Sequence, residues 1–143
     1  MASVPGCVFC QIAAKATPSP IVFEDDAALA FLDHRPLFPG HCLLIPKPHY
    51  ETLADLSAPM IAPLFSTAQR LARAVETGMG AEGSFVAINN RVSQSVPHLH
   101  IHIVPRRKKD GLKGFFWPRR PYESPEAAAA AQQAIVSALR ESS

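Results

Sequence analysis

The chain has 143 residues, of which 48% are apolar and 18% charged, and its formal net charge is +2 at pH 7. This balance is that of an ordinary globular domain, so it excludes disordered and collagen-like chains, and the length supports one core without obligatory disulfides. No apolar run reaches the ~18 to 20 residues of a membrane-spanning helix, and the N-terminus lacks the pattern of a signal peptide. We therefore expect a cytoplasmic protein.

The N-terminal third predicts one short helix followed by short strands. Residues 7–15 favour a helix that ends before the proline-containing stretch 17–20, because proline denies backbone donors and helical geometry. Ile21–Glu24 and Ala28–Asp33 flank an acidic turn and predict a hairpin. His41–Ile45 lies between proline-containing turns and predicts a third strand.

The rest of the chain predicts a long helix, two further strands and a terminal helix. Apolar residues at helical spacing between Ser57 and Thr77 predict one buried face. That face comprises Ile61, Leu64, Phe65, Ala68, Leu71, Ala72 and Val75. Strands are expected at Ser84–Asn89 and His98–Val104, and a helix begins at Ser124.

These elements predict an α+β domain built on a five-stranded antiparallel sheet, with one major helix between the third and fourth strands. We expect residues 1–110 to form the domain. Residues 111–143, an aromatic and basic segment with the terminal helix, are expected to pack on the same domain.

Three of the six histidines, His98, His100 and His102, alternate with aliphatic residues. In a strand, the aliphatic side chains would enter the core and the imidazoles would line the opposite face. Three rings sharing one zinc ion do not fit, because the outer two would lie ~13 Å apart whereas nitrogens on one zinc are at most ~4.2 Å apart. A row of imidazoles instead suits phosphoryl transfer, in which one neutral ring attacks phosphorus and a neighbour stabilises charge.

The segment from Gln94 to Val104 resembles the signature of the histidine triad (HIT) family, and further landmarks of that family occur in order between residues 7 and 107. The resemblance implies a HIT-like fold and a hydrolase that attacks the α-phosphorus of a nucleotide. His100 matches the nucleophile, which forms a covalent nucleotidyl-histidine. His102 matches the residue that binds the phosphate and assists the leaving group, while His41 and Ser95 match residues near the same phosphate.

The resemblance also implies a set of substrate-binding residues. They are Asp33 at the ribose, Phe9, Ile12 and Phe31 around the base, Asn89 near the phosphate, Gln94 in the signature, and Trp117 in the C-terminal segment. For Asn89 the adjacent Asn90 is an alternative. The three apolar residues fit core packing as well as a base slot, and Trp117 fits a packing anchor equally well.

Cys7 and Cys10 form a C-x2-C pair, which supplies two of the four ligands of a closed zinc site. Members of the family with this pair complete it with a histidine after the third strand and the first triad histidine, here His49 and His98. The resemblance thus implies one structural zinc ion per chain. The alternative is a pair of buried free cysteines, and Cys42 is expected in the core.

The resemblance accordingly implies a homodimeric hydrolase of purine nucleotide conjugates, such as dinucleoside polyphosphates or nucleoside phosphoramidates. Two alternatives remain open: a nucleotide-binding or scaffolding module with little turnover, and an enzyme that removes adenylyl groups from nucleic-acid ends. The latter would use the eight Lys or Arg residues from Arg91 to Arg120, a segment that contains a single acidic residue, Asp110. The same basic field also fits a solvated loop.

Overall fold

A computed structural model describes residues 3–113 and 119–142. The elements in chain order are α1 (Val8–Ala13), β1 (Ile21–Glu24), β2 (Ala28–Leu32), β3 (Cys42–Pro46), a short 3-10 helix (Leu53–Asp55), α2 (Ala58–Met79), β4 (Gly83–Ala87), β5 (Ile101–Arg106) and α3 (Pro125–Ser142). The predicted α+β class, with the major helix between the third and fourth strands, is confirmed.

The five strands form one antiparallel sheet in the order β1-β2-β3-β5-β4. The predicted hairpin between β1 and β2 is closed by Asp25, whose Oδ1 accepts hydrogen bonds from the backbone N–H groups of Ala27 and Ala28 at 2.9 and 2.8 Å. A carboxylate that satisfies two backbone donors in this way is typical of Asx turns.

The sheet buries both of its faces, and the alternation of side chains decides which residues reach which face. Ala30, Leu44 and Ile101 belong to the core that includes α2. Their neighbours Phe31 and Leu43 belong to a second core, which includes α1. Because His102 lies opposite Leu43 in the ladder between β3 and β5, its side chain falls on the α1 face of the sheet.

Helix α2 begins after Ser57 and ends at Gly80, which adopts the left-handed conformation with φ of +61°. Its buried residues are Leu64, Thr67, Ala68, Leu71 and Val75. The prediction that Ile61 and Phe65 share this face is wrong, since they are 45% and 38% exposed. Phe65 is rotated about 100° from Leu64 around the helix axis, and Ile61 lies in the first turn.

The predicted strand at His98–Val104 begins later than expected, at Ile101. If the ladder continued, Leu99 would lie opposite Pro46, which has no N–H to donate to the Leu99 carbonyl and whose own carbonyl oxygen accepts from Nε2 of His98. Leu99 N–H instead donates to the carbonyl oxygen of Tyr50 at 2.6 Å. The alternation of the aliphatic residues is nevertheless confirmed, because Leu99, Ile101 and Ile103 are fully buried.

The described chain divides into two compact units, one up to Asp110 and one from Gly111 onwards. The first contains the sheet, α1 and α2, and the second contains α3. The expected packing of the C-terminal segment on the domain stays a prediction.

Within the described ranges, none of the helices has both the length and the apolar character required to cross a bilayer.

Candidate active site and metal centre

Seven of the predicted site residues line a cleft of about 350 Å³ on the α1 face of the sheet, here called the active cleft, whereas His41, Asn89 and Gln94 do not line it. Those that line it are Phe9, Ile12, Phe31, Asp33, Ser95, His100 and His102. They come from α1, from β2 and the residue after it, from the loop before the triad, and from the triad itself. The fold therefore brings together residues that are up to 93 positions apart in the chain, from Phe9 to His102.

The ring of His100 has its tautomer set by the backbone. Nδ1 of His100 lies 2.8 Å from the carbonyl oxygen of His98. A carbonyl oxygen only accepts, so Nδ1 carries the proton and Nε2 keeps a lone pair. Burial lowers the pKa of His100, which favours the neutral ring. Phe9 packs against this ring edge to face, with the two centroids 5.0 Å apart. His100 thus has the form of a positioned neutral nucleophile.

A chain of hydrogen bonds sets the tautomer of His102. Leu37 N–H donates to Nδ1 of His41 at 3.1 Å, so the proton of His41 resides on Nε2. This Nε2–H donates to Nδ1 of His102 at 3.0 Å, which leaves the proton of His102 on its own Nε2. That Nε2 is buried and has no hydrogen-bond partner among the described residues. An unsatisfied buried donor is costly, and it marks the place where a ligand oxygen or nitrogen would be bound.

The pKa of His102 is lowered to about 4, first by burial and then by the neighbouring His100 and His41, with Asp33 opposing the shift. Burial also lowers the pKa of His41. The lowered pKa values favour the neutral form of both rings, which the hydrogen-bond chain requires.

Asp33 completes this cluster without forming a metal site. Its Oδ1 accepts from Arg35 N–H at 2.9 Å, and its Oδ2 lies 3.7 Å from Nε2 of His41. The donor atoms of Asp33, His41 and His102 could in principle surround a metal ion. However, a metal on Nε2 of His41 would place the proton on Nδ1, where it would oppose the N–H of Leu37. We interpret the cluster as a hydrogen-bonded relay.

Two polar residues of the loop before the triad have structural partners. Gln94 donates from Nε2 to the carbonyl oxygen of Glu51 and accepts at Oε1 from Arg91 N–H, both at 2.7 Å. Its amide thus holds the loop in place, and its expected contact with substrate stays a prediction. Asn90 accepts at Oδ1 from Leu53 N–H at 2.8 Å, whereas Asn89 is half-buried.

Trp117 lies outside the described residues. Val8, His34 and Val96 also line the active cleft and were not among the predicted residues. Val8 and His34 adjoin Phe9 and Asp33, so their position in the chain was an available signal. The hydrogen bond from Leu37 to His41 is donated by a backbone N–H, so the identity of the Leu37 side chain does not predict it.

A second cluster, here called the metal centre, contains Cys7, Cys10, His49 and His98, with all four ligand atoms within 4.8 Å of one another. Nδ1 of His98 lies 3.5 Å from each cysteine Sγ, and Nδ1 of His49 lies 3.3 Å from Sγ of Cys10. Sulfur and nitrogen ligands on one tetrahedral zinc ion are ~3.6 Å apart. The spacing and the donor types therefore fit zinc.

The tautomer of His98 also suits this cluster. Its Nε2 donates to the carbonyl oxygen of Pro46 at 2.8 Å, so the lone pair on Nδ1 faces the two sulfurs. Burial raises the pKa of the Cys10 thiol, so a thiolate at this position requires a nearby cation. All three cysteines lie in the described part of the chain, and none of them forms a disulfide.

Comparison with known proteins identifies relatives for most of the chain. Residues 14–109 match the family model described as HIT domain. Adenylylsulfatase HINT3 of Arabidopsis thaliana is 37% identical over 108 residues, which are 74% of this chain and 55% of that protein. The chain thus spans little more than half of that relative's length. Adenosine 5′-monophosphoramidase hnt1 of Schizosaccharomyces pombe is 34% identical over 136 residues, which are 94% of this chain and 98% of the relative.

Among solved structures, a Zn-bound histidine triad family protein from Mycobacterium smegmatis is 37% identical and superposes with a TM-score of 0.71, covering 92% of this chain and 97% of that chain.

Proposed function

This chain belongs to the HIT domain family, and from that premise we propose that it is a nucleotide hydrolase that cleaves purine nucleotide conjugates at the α-phosphate through a covalent nucleotidyl-His100. One observation carries the proposal: His100 offers an Nε2 lone pair in the same cleft in which His102 offers an unpartnered Nε2–H. A nucleophile and a hydrogen-bond donor are the two groups that displacement at phosphorus requires. Two relatives named as hydrolases of adenylyl compounds support it.

In the proposed reaction, Nε2 of His100 attacks the α-phosphorus and forms a P–N bond, while the bond to the leaving atom breaks. The leaving atom departs with the electron pair and takes a proton from water. Nε2–H of His102 stabilises the charge that develops during this step. Water then attacks the phosphorus of the nucleotidyl-His100 and the P–N bond breaks, which releases the nucleoside monophosphate and restores the lone pair on Nε2. The proton that this water loses neutralises the hydroxide left by the first step.

The nucleoside would occupy the apolar part of the active cleft. Phe9, Ile12 and Phe31 line it with side chains from α1 and β2. Asp33, at the end of β2, has a carboxylate that can accept hydrogen bonds from ribose hydroxyl groups. The purine and the ribose are thus proposed to lie between α1 and the end of β2.

We further propose that Cys7, Cys10, His49 and His98 hold a zinc ion. With four protein ligands such an ion has no open position, so it supplies structure rather than catalysis. It would join the start of α1 and the segment after β3 to the first triad histidine. The fit of the ligand spacing supports this assignment, and a Zn-bound solved relative is consistent with it.

A homodimer is the proposed oligomeric state. Strand β4 forms one edge of the described sheet, where a second copy could extend the ladder. Val86 on this strand, together with Ile61 and Phe65 on α2, exposes apolar surface. Light scattering coupled to gel filtration should give twice the mass of 15.5 kDa.

The experiment that tests the function is a panel of adenosine and guanosine conjugates, including dinucleoside polyphosphates and phosphoramidates, with chromatographic detection of the nucleoside monophosphate. We expect the wild type to release the monophosphate and His100→Ala to lose this activity with an unchanged circular dichroism spectrum. Binding without release would favour the scaffolding alternative, and salt-dependent binding to adenylylated DNA ends would favour the nucleic-acid alternative. Equal turnover by the variant would reject His100 as the nucleophile.

A further inference from the structure

A second cleft, of about 670 Å³ and open to solvent, adjoins the active cleft. The two share three lining residues, Val8, Ser95 and Val96, which therefore form the ridge between them. The second cleft is large enough for a drug-sized ligand. Ser95 on this ridge lines the active cleft together with His100.

The charge of the second cleft is set by a single carboxylate. Val4, Pro5 and Pro97 give it apolar walls, and Glu51 is its acid. None of the described residues that line it is a lysine or an arginine. Its other ionisable side chains, Cys7 and His49, belong to the metal centre.

The wall that carries Glu51 is attached to the loop that carries Ser95. Gln94, the neighbour of Ser95, donates from Nε2 to the carbonyl oxygen of Glu51 at 2.7 Å. The same amide accepts from Arg91 N–H, also at 2.7 Å. The carboxylate of Glu51 is thus placed on a backbone that is fixed relative to the ridge.

We propose that the second cleft binds the leaving group of the substrate and that Glu51 selects leaving groups with an apolar body and a positively charged end. The inference rests on the proposed function and specifies its substrate class as nucleoside phosphoramidates of such amines. An in-line displacement sends the leaving group away from Nε2 of His100, and the shared Ser95 connects the scissile bond with the second cleft. A polyphosphate leaving group carries several negative charges, and it would meet the carboxylate of Glu51 without a lining cation.

The test uses three adenosine phosphoramidates with the same P–N bond. The first has no arm on nitrogen, the second has an alkyl arm that ends in an ammonium group, and the third has an arm of equal length that ends in a carboxylate. The measured quantity is the ratio of kcat/KM for the ammonium arm to that for the carboxylate arm. We expect about tenfold preference for the ammonium arm in the wild type, decreasing as salt is added.

Two charge reversals separate a local effect from a change in net charge. In Glu51→Lys the ratio should fall below one. In Asp26→Lys, which makes the same change in net charge on an exposed turn outside both clefts, it should keep its wild-type value. A wild-type ratio of one or less, or equal ratios in Glu51→Lys and the wild type, would overturn the inference while hydrolysis of the armless compound still supports the proposed function. If the wild type hydrolyses none of the three, this inference fails, and the proposed function is then decided by monophosphate release from the dinucleoside polyphosphates and guanosine conjugates of the panel.

Discussion

The carbonyl oxygen of His98 lies 2.8 Å from Nδ1 of His100, while Nδ1 of His98 itself lies 3.5 Å from the sulfur atoms of Cys7 and Cys10. One residue therefore faces the metal centre with its ring and holds the proposed nucleophile with its backbone. Phe9, between the two cysteines, reinforces this link, because its ring packs against those of both His98 and His100. A substitution of the cysteines should therefore alter the position of the His100 ring.

Replacing Cys7 and Cys10 together by serine should abolish zinc binding and lower the melting temperature by about 10 °C, because a bound metal stabilises only the folded state. Inductively coupled plasma mass spectrometry measures the zinc content, and thermal unfolding measures the melting temperature. Cys42→Ala is the matched control, since Cys42 is buried away from the metal centre. One zinc ion per chain in the double variant would contradict the assignment of the ligands.

Replacing His102 by alanine should lower kcat by about 10²- to 10³-fold, because it removes the donor that stabilises charge at phosphorus. His102→Gln keeps an N–H group near the position of Nε2, so it should recover part of this loss. The comparison of kcat for the two variants on one phosphoramidate checks the expectation. If glutamine is no better than alanine, the proposed role of Nε2–H is wrong.

The low pKa of His102 predicts a loss of stability in mild acid. The pKa is about 4 in the folded protein and 6.5 for an ordinary histidine, so the unfolded state takes up a proton that the folded state does not. The stabilising contribution is complete above pH 6.5 and is lost as the pH falls towards 4. Between pH 7 and pH 5 the ring should cost about 1 to 2 kcal/mol of unfolding free energy.

Urea unfolding at pH 7 and pH 5 tests this expectation. His102→Gln should lose less stability than the wild type on acidification, by about that amount. His34→Gln serves as the control, because the side chain of His34 is 89% exposed. Equal losses in the His102 variant and the wild type would show that His102 is not buried in its neutral form.

Two glycines should respond to alanine in opposite directions. Gly40, directly before His41, has φ of +94°, and a Cβ there would lie 2.6 Å from Cγ of Met79. Gly40→Ala should therefore destabilise the protein by about 2 kcal/mol. Gly78 lies in α2 with nothing within 4 Å of the added carbon, so Gly78→Ala should stabilise it by up to about 1 kcal/mol. The midpoints of denaturant unfolding measure the stability of both variants. A Gly40→Ala protein as stable as the wild type would contradict the strain expected from a side chain at this position.

Much of the fold could be predicted from local patterns. Alternating aliphatic residues placed Ile101 and Ile103 in the core, and helical spacing between Ser57 and Thr77 predicted α2. The acidic turn at Asp25 indicated the hairpin. These features depend on residues close together in the chain, which is why a single sequence reveals them.

The features that could not be predicted depend on distant partners. Strand β5 starts late because Pro46, in strand β3, has no N–H to donate to the carbonyl oxygen of Leu99. The amide of Gln94 donates to the backbone carbonyl of Glu51, which is 43 residues away in the chain. The tautomer of His102 depends on the backbone N–H of Leu37 by way of His41. Neither contact with a backbone group is visible in side-chain identity.

The most direct test of the central claim is to trap the covalent intermediate. Wild-type protein mixed with a phosphoramidate and quenched within milliseconds in alkaline denaturant, where phosphohistidine survives, is digested and mapped by mass spectrometry. We predict a nucleoside monophosphate attached to His100, with no adduct in His100→Ala. An adduct on another residue, or turnover in which oxygen-18 water and a phosphorus-chiral substrate reveal inversion in a single displacement, would contradict the account.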